Sequence, residues 1–303
     1  MPGTALAAAV VIGMNWRPAT AEDAVLLAEL ASRTSDSEFS AEQVLAFLDS
    51  WYVEIADHGL ATEAAVAVLP PAKGRSRGYG AWWTRRDADS DRFGTIGGRV
   101  VQLAESTPGL RVLQISVPAE RTIDADQLRA LRFEPAYPLW TMVHDNKTWP
   151  DRQLDLPVPL RFARWLDVTP DEFQAAYEHA YIDQRPVEPH TPETWDLLAG
   201  SDNFATDLAT LAVTPDGQVA GFVLGFHQSA GGIELGPIGT LPSWRRRGVC
   251  SALLSAVLLR CRESRSHPIS LTVDGESPTR AEHLYLRHGF QVTQRLVTYQ
   301  VQL

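Results

Sequence analysis

The stretch that most constrains the fold lies near the C-terminus: Ile233-Glu-Leu-Gly-Pro-Ile-Gly-Thr-Leu-Pro-Ser-Trp-Arg-Arg-Arg-Gly-Val-Cys-Ser-Ala-Leu-Leu254. Ile233 to Thr240 reads as a strand, and Pro242 stops it. Arg245 to Gly248 make a tight turn, and an apolar helix opens at Ser251. A helix N-terminus leaves backbone N–H groups unpaired and carries the positive end of the helix dipole, so it suits a phosphate or pyrophosphate. Arg245, Arg246 and Arg247 add charge beside it. Gly248 permits positive φ or close backbone approach. A basic turn that only caps a buried helix would use the same residues.

With 303 residues, 45% of them apolar, the chain can build two domains, each with its own core. A net charge of −10 argues against nucleic-acid binding, which needs a basic face, and suits a cationic or amine partner. Only Lys73 and Lys147 are lysines among 27 basic residues, the codon bias of a high-GC bacterium. Cys250 and Cys261 supply neither a disulfide framework nor zinc spacing, which points to no metal and a reducing, cytoplasmic compartment. No apolar run reaches the roughly 18 residues that a membrane span needs. Leu6 to Gly13 is like a short signal h-region without its basic start; residues 1–13 are expected to be a loose tail, with Met14 the natural beginning.

In chain order, Trp16 onward predicts a strand, then a helix capped at Thr20 with Asp23 three residues on. A second helix runs from a Ser40 cap to Trp51, followed by strands at 53–56, 61–69, 79–84 and 112–117, a helix before Phe133, and a strand at 139–143. Residues 146–160 are proline-spaced and read as a linker. Beyond them, Thr169-Pro and Thr191-Pro each start a helix, and 208–213 with 219–226 form a hairpin around Pro215-Asp-Gly217.

A second block, residues 269–290, reads Ile-Ser-Leu-Thr-Val-Asp-Gly-Glu-Ser-Pro-Thr-Arg-Ala-Glu-His-Leu-Tyr-Leu-Arg-His-Gly-Phe. The two blocks together resemble the GNAT superfamily of N-acetyltransferases. That family's cofactor signature is Arg or Gln, two variable residues, Gly, one variable residue, then Gly or Ala. Here it reads Arg245-Arg-Arg-Gly248-Val-Cys250, with Cys250 in the last small position. The strand, the turn, the Leu-Tyr helix and the Gly289-Phe290 opening of the last strand follow in the family's order. Ser277 stands where the family often has Asn. The pattern also recurs within the chain. Leu131-Arg132-Phe133 lines up with His288-Gly289-Phe290 at an offset of 157 residues, which puts Leu128 opposite Tyr285 and Met142 opposite Tyr299. Residues 92–104 fall where a first cofactor turn is expected, but Thr95 occupies the place of the signature Gly.

The resemblance implies an α/β (α+β) architecture: two tandem GNAT-like domains, each a mixed, mostly antiparallel twisted sheet flanked by helices. Residues 14–145 would be a degenerate N-terminal domain, 146–159 the linker and 160–303 the catalytic domain, a layout like that of mycothiol synthase and tandem antibiotic acetyltransferases. It implies acetyl-CoA as cosubstrate and no metal. The acceptor would be the amine of a small molecule, with no nucleic acid or membrane partner. Cofactor contacts would come from Ile238, Gly239 and Thr240 on the strand, from Arg245, Arg246, Arg247, Gly248, Val249, Cys250 and Ser251 at the turn, and from Ser277. The N–H of Ile238, after a bulge at Gly236-Pro237, would meet the acetyl carbonyl; Pro237 could equally blunt an edge strand. Tyr285 matches the tyrosine that protonates the departing thiolate, although a core aromatic would look the same. Glu234 would deprotonate the amine through water, with His227 and His190 as competitors. A nucleophilic Cys250 has no partner histidine at readable spacing. The alternative reading is a non-catalytic acyl-CoA-binding sensor or scaffold, which would need neither Tyr285 nor Glu234.

Overall fold

The computed structural model describes residues 14–34, 40–58, 61–71, 75–84, 90–183, 195, 199–228 and 231–303. The expected tail 1–13, His190 and the helix expected from Thr191 lie outside them. The chain divides into two compact units: residues up to Ala136 with Val297–Leu303, and Tyr137–Leu296. The proline-spaced stretch 146–159 therefore falls inside the second unit, because strand partners, not local composition, decide where 137–144 and 297–303 go.

The first unit holds β1 (Asn15–Pro18), α1 (Ala24–Thr34), α2 (Ala41–Leu48), β2 (Tyr52–His58), β3 (Ala61–Leu69), β4 (Arg77–Thr84), α3 (Ser90–Glu105), β5 (Val112–Pro118) and α4 (Thr122–Ala130). Its sheet runs in sequence order from β1 to β5, antiparallel except where β4 meets β5. Side-chain alternation along β3 builds two cores at once. Ala64, Val66 and Val68 pack against Ile96, Val100 and Ala104 of α3, while Ala65 and Ala67 face Leu27 and Leu30 of α1. Ser40 caps α2 as expected: its Oγ accepts from the N–H of Gln43, and Gln43 Oε1 accepts from the N–H of Ser40. The helix ends at Leu48, short of the expected Trp51.

The second unit holds most of β6 (Glu134–His144), then β7 (Arg161–Arg164), α5 (Pro170–Ala180), β8 (Thr210–Val213), β9 (Val219–His227), β10 (Ile233–Thr240), α6 (Val249–Ser264), β11 (Ile269–Asp274), α7 (Ala281–Arg287) and the start of β12 (Phe290–Gln302). Its strands lie in the order β6-β11-β10-β9-β8-β7, antiparallel apart from β10 with β11. Ala220, Val223, Ile233 and Leu235 pack on Leu253, Leu254, Val257 and Leu258 of α6. Phe222 and Leu224 face the other way, toward Phe173 of α5 and Trp195. Thr169 caps α5 with Pro170 in its first turn.

Element order repeats. In both units two antiparallel strands lead to a parallel pair bridged by a 16-residue helix, α3 in one and α6 in the other. Leu128 lies on α4 and Tyr285 on α7, as the offset of the internal repeat requires.

Candidate active site

The site starts from one broken ladder. Opposite β9, the register of β10 shifts between Leu235 and Ile238, so Gly236 and Pro237 together face a single residue. Proline has no N–H to give, and a strand bulges where the ladder fails. On the other side, β10 pairs with β11 only over Ile233–Leu235 and Ile269–Leu271. Beyond that point the two parallel strands part. A cleft opens between Leu235–Ile238 and Thr272–Asp274. Tyr181, Ser277, Thr279, Ala281 and Tyr285 complete its wall.

Tyr285 is only 6% exposed, and its ring meets Phe290 edge-on. Burial pushes its pKa well above the ordinary phenol value, with Cys250, Tyr181 and Glu282 acting in the same direction. The phenol therefore stays protonated across the physiological range. Tyr181, at the end of α5, donates from its hydroxyl to the carbonyl of Ile238 at 2.8 Å, and burial raises its pKa too. The Cys250 thiol is pushed up to about 12 by burial, so it is not a thiolate nucleophile. The Thr240 hydroxyl, shut off from solvent, lies against this thiol and acts against the rise.

The turn is built as expected. Arg246 and Gly248 both have positive φ (62° and 87°), and Gly248 is the N-cap of α6. The helix therefore begins at Val249, two residues before Ser251. No side chain caps this end. A Cβ placed on Gly248 would meet nothing within 4 Å. The backbone donors of the first turn thus stand open for an anion.

The three arginines do different things. Arg245 is turned inward, with Nε donating to the Thr240 carbonyl at 3.1 Å and Nη2 to the Ala180 carbonyl at 2.8 Å. It also forms a bidentate pair with Asp183, whose carboxyl it holds below its usual range. Its charge is spent on bracing the turn against the end of α5. Arg247 stacks 5.1 Å over the ring of Trp244, and Arg246 is exposed. Ser251 Oγ lies 3.1 Å from His288 Nε2.

Gly239 lies under the Phe222 ring, whose Cζ would sit 2.3 Å from an added Cβ, so packing alone demands glycine there. Ser277 is buried and pairs its hydroxyl with Thr279 at 2.9 Å. Glu234 stands apart from this group: it is exposed, accepts from Gln228 at 3.0 Å, and does not line the cleft. It pairs with Phe226 across the ladder and so looks to the α5 face of the sheet. His227 is exposed at the end of β9. Sequence reasoning missed Tyr181 and the pairing of His288. Tyr177 and Tyr181, four apart on one helix face, were the available signal for the first; nothing local signals the second.

Residues 163–290 match the model of the Acetyltransferase (GNAT) family. They form a GNAT domain. It contains the bulge, the turn, the cleft and Tyr285. No curated protein matches the chain in sequence. Over its whole length the chain is similar in fold to a GCN5-related N-acetyltransferase from Sphaerobacter thermophilus, at 23% identity, covering 95% of each chain, with a TM-score of 0.78. It is also similar to a tandem GNAT protein from the clavulanic acid biosynthesis pathway, at 14% identity, covering 95% of this chain and 98% of the other, with a TM-score of 0.71. The chain thus has the tandem GNAT fold.

Proposed function

We propose that the GNAT domain transfers an acetyl group from acetyl-CoA to the amine of a small molecule by direct attack. What carries this reading is the parting of β10 from β11 at Pro237, with the protonated phenol of Tyr285 in the wall of the gap. The residues present fit acetyl-CoA. The uncapped start of α6, open above Gly248, would receive the pyrophosphate on the N–H groups of Val249, Cys250 and Ser251, with Arg246 and Arg247 beside it. Ile238, Gly239, Thr240 and Ser277 would hold the arm that leads into the cleft. Bound there, the cosubstrate supplies a thioester carbonyl open to an amine.

The chain's own groups then have defined tasks. The Ile238 N–H, just past the bulge, is the fixed donor for the oxygen that gains charge. Tyr181, bonded to the carbonyl of the same residue, holds that segment in place. Tyr285 keeps a proton on Oη for the departing sulfur. Glu234 takes the amine proton through water from its exposed position at the head of β10. Arg245 acts as a brace, not as a phosphate ligand. A reducing, cytoplasmic setting and a bacterial origin accord with two free cysteines and the arginine-biased sequence.

The test is thiol release from acetyl-CoA against a panel of small amines, with the acetylated product identified by mass. Amine-dependent release supports the reading. Binding of acetyl-CoA with no release across the panel favours a non-catalytic sensor.

A further inference from the structure

The cofactor turn and the proposed acid sit on different helices, α6 and α7, which share an apolar core and are joined by a side-chain hydrogen bond from His288. His288 follows α7. Its backbone N–H donates to the carbonyls of Leu284 (3.2 Å) and Tyr285 (2.9 Å), so it is tied to the residue that carries the phenol. Its ring Nε2 lies 3.1 Å from Ser251 Oγ, in the first turn of α6. The backbone after it has little freedom. Gly289 has a φ of +84°, and a Cβ there would fall 2.7 Å from Thr148 and 3.0 Å from the ring of His144.

The charges around His288 point the same way. Burial does most to lower its pKa, and Arg287 and His144, both cationic when charged, act in the same direction. His144 is already committed, with Nδ1 accepting from the N–H of Asn146 and Nε2 facing the carbonyl of Thr148. The neighbouring carboxylate, Asp145, whose N–H donates to the Gly289 carbonyl, accepts from the N–H groups of Lys147 and Thr148, so among the described residues no carboxylate is hydrogen-bonded to the His288 ring to balance a proton there. An anion at the uncapped start of α6 would be that counter-charge.

We propose that His288 is a positioning residue of the cofactor site: through Ser251 it fixes the helix of Tyr285 to the anion-binding turn, and anion binding there draws a proton onto its ring. This rests on the reading of the turn as an acetyl-CoA site. By linkage, a group whose pKa rises on binding takes up protons and strengthens binding as pH falls.

The experiment is calorimetric titration with acetyl-CoA of the wild type and of His288→Leu, His288→Gln, Ser251→Ala and His288→Leu/Ser251→Ala, at pH 8 and pH 6.5 in buffers of different ionisation heat. His288→Leu and Ser251→Ala should each weaken binding about 3- to 10-fold, the range of one lost hydrogen bond, and the double variant no further. His288→Gln, which can still reach Ser251, should recover most of the affinity at pH 8. It should also lose the part of the wild-type proton uptake at pH 6.5 that the cofactor's own phosphates do not supply. Additive losses in the double variant, or equal proton uptake in wild type and His288→Gln, overturn the proposal. Should His288→Leu fail to fold, Ser251→Ala and the proton count from His288→Gln decide alone. A wild type that does not bind acetyl-CoA overturns the functional reading and this proposal together, whereas binding by wild type with an additive cycle overturns only this one.

Discussion

At the scale of single residues, Tyr285 bears the most specific chemical claim. Its pKa is raised mainly by burial, so removing the hydroxyl removes a proton donor without removing a charge. Tyr285→Phe should lower kcat about 100-fold or more, the range of general acid catalysis, and leave the affinity for acetyl-CoA within about twofold. Equal loss of both would make the ring a packing residue only. Cys250 gives the opposite expectation. Its thiol is pushed up to about 12 and sits where the family pattern has Gly or Ala. Cys250→Ala should keep turnover within about threefold, and pre-treatment of the wild type with a thiol alkylator near pH 7 should leave activity intact; loss of activity in Cys250→Ala would reinstate a nucleophile. Identity was legible at this scale and direction was not. The sequence names Arg245, but its turn inward depends on Asp183 and on the end of α5, 62 residues away. The pairing of Ser251 with His288 likewise spans 37 residues. Glu234 shows the limit of strand alternation: it shares a face with Gly236 by count, yet it lies where β10 is still paired with β11 and does not line the cleft.

At the scale of elements, the bulge and the turn decide what the strand–turn–helix unit can do. Pro237 was readable as a ladder break because proline lacks the donor; the parting of β10 from β11 was not, because it depends on where pairing with β11 stops. Gly248 was readable as a residue with positive φ, and the start of α6 at Val249 follows from it. The glycine also supplies a clean separation of folding from binding. Space above it is empty of protein, so a larger side chain meets only the strain of a φ of 87°, about 1–2 kcal/mol. Gly248→Val should therefore fold, with a lowered melting temperature and an unchanged circular dichroism spectrum, yet weaken acetyl-CoA binding about 100-fold or more. Affinity preserved in a folded Gly248→Val protein would mean that the anion site lies elsewhere.

At the scale of the whole molecule, a duplicated architecture raises the question of how many sites the chain keeps. The repeat was legible from Phe133 and Phe290, since each serves the core of its own unit. The expectation of one site rests on the strands. In the second unit the β9–β10 register slips at Gly236-Pro237; in the first, β3 and β4 stay in step from Ala64 opposite Thr84 to Leu69 opposite Tyr79. With no slip, β4 has no bulged residue to turn a free amide toward a ligand. Arg92 to Thr95, where the signature was sought, lie inside the first turns of α3, while the residues just before α3, in the place that Arg245–Gly248 hold before α6, lie outside the described ones. Calorimetry should thus give one acetyl-CoA per chain, and Gly248→Val should remove that single event entirely. A stoichiometry of two, with one event surviving Gly248→Val, would show that the first unit binds the cosubstrate without a bulge or a left-handed glycine. The slip at Pro237 would then no longer be what separates a site from a scaffold.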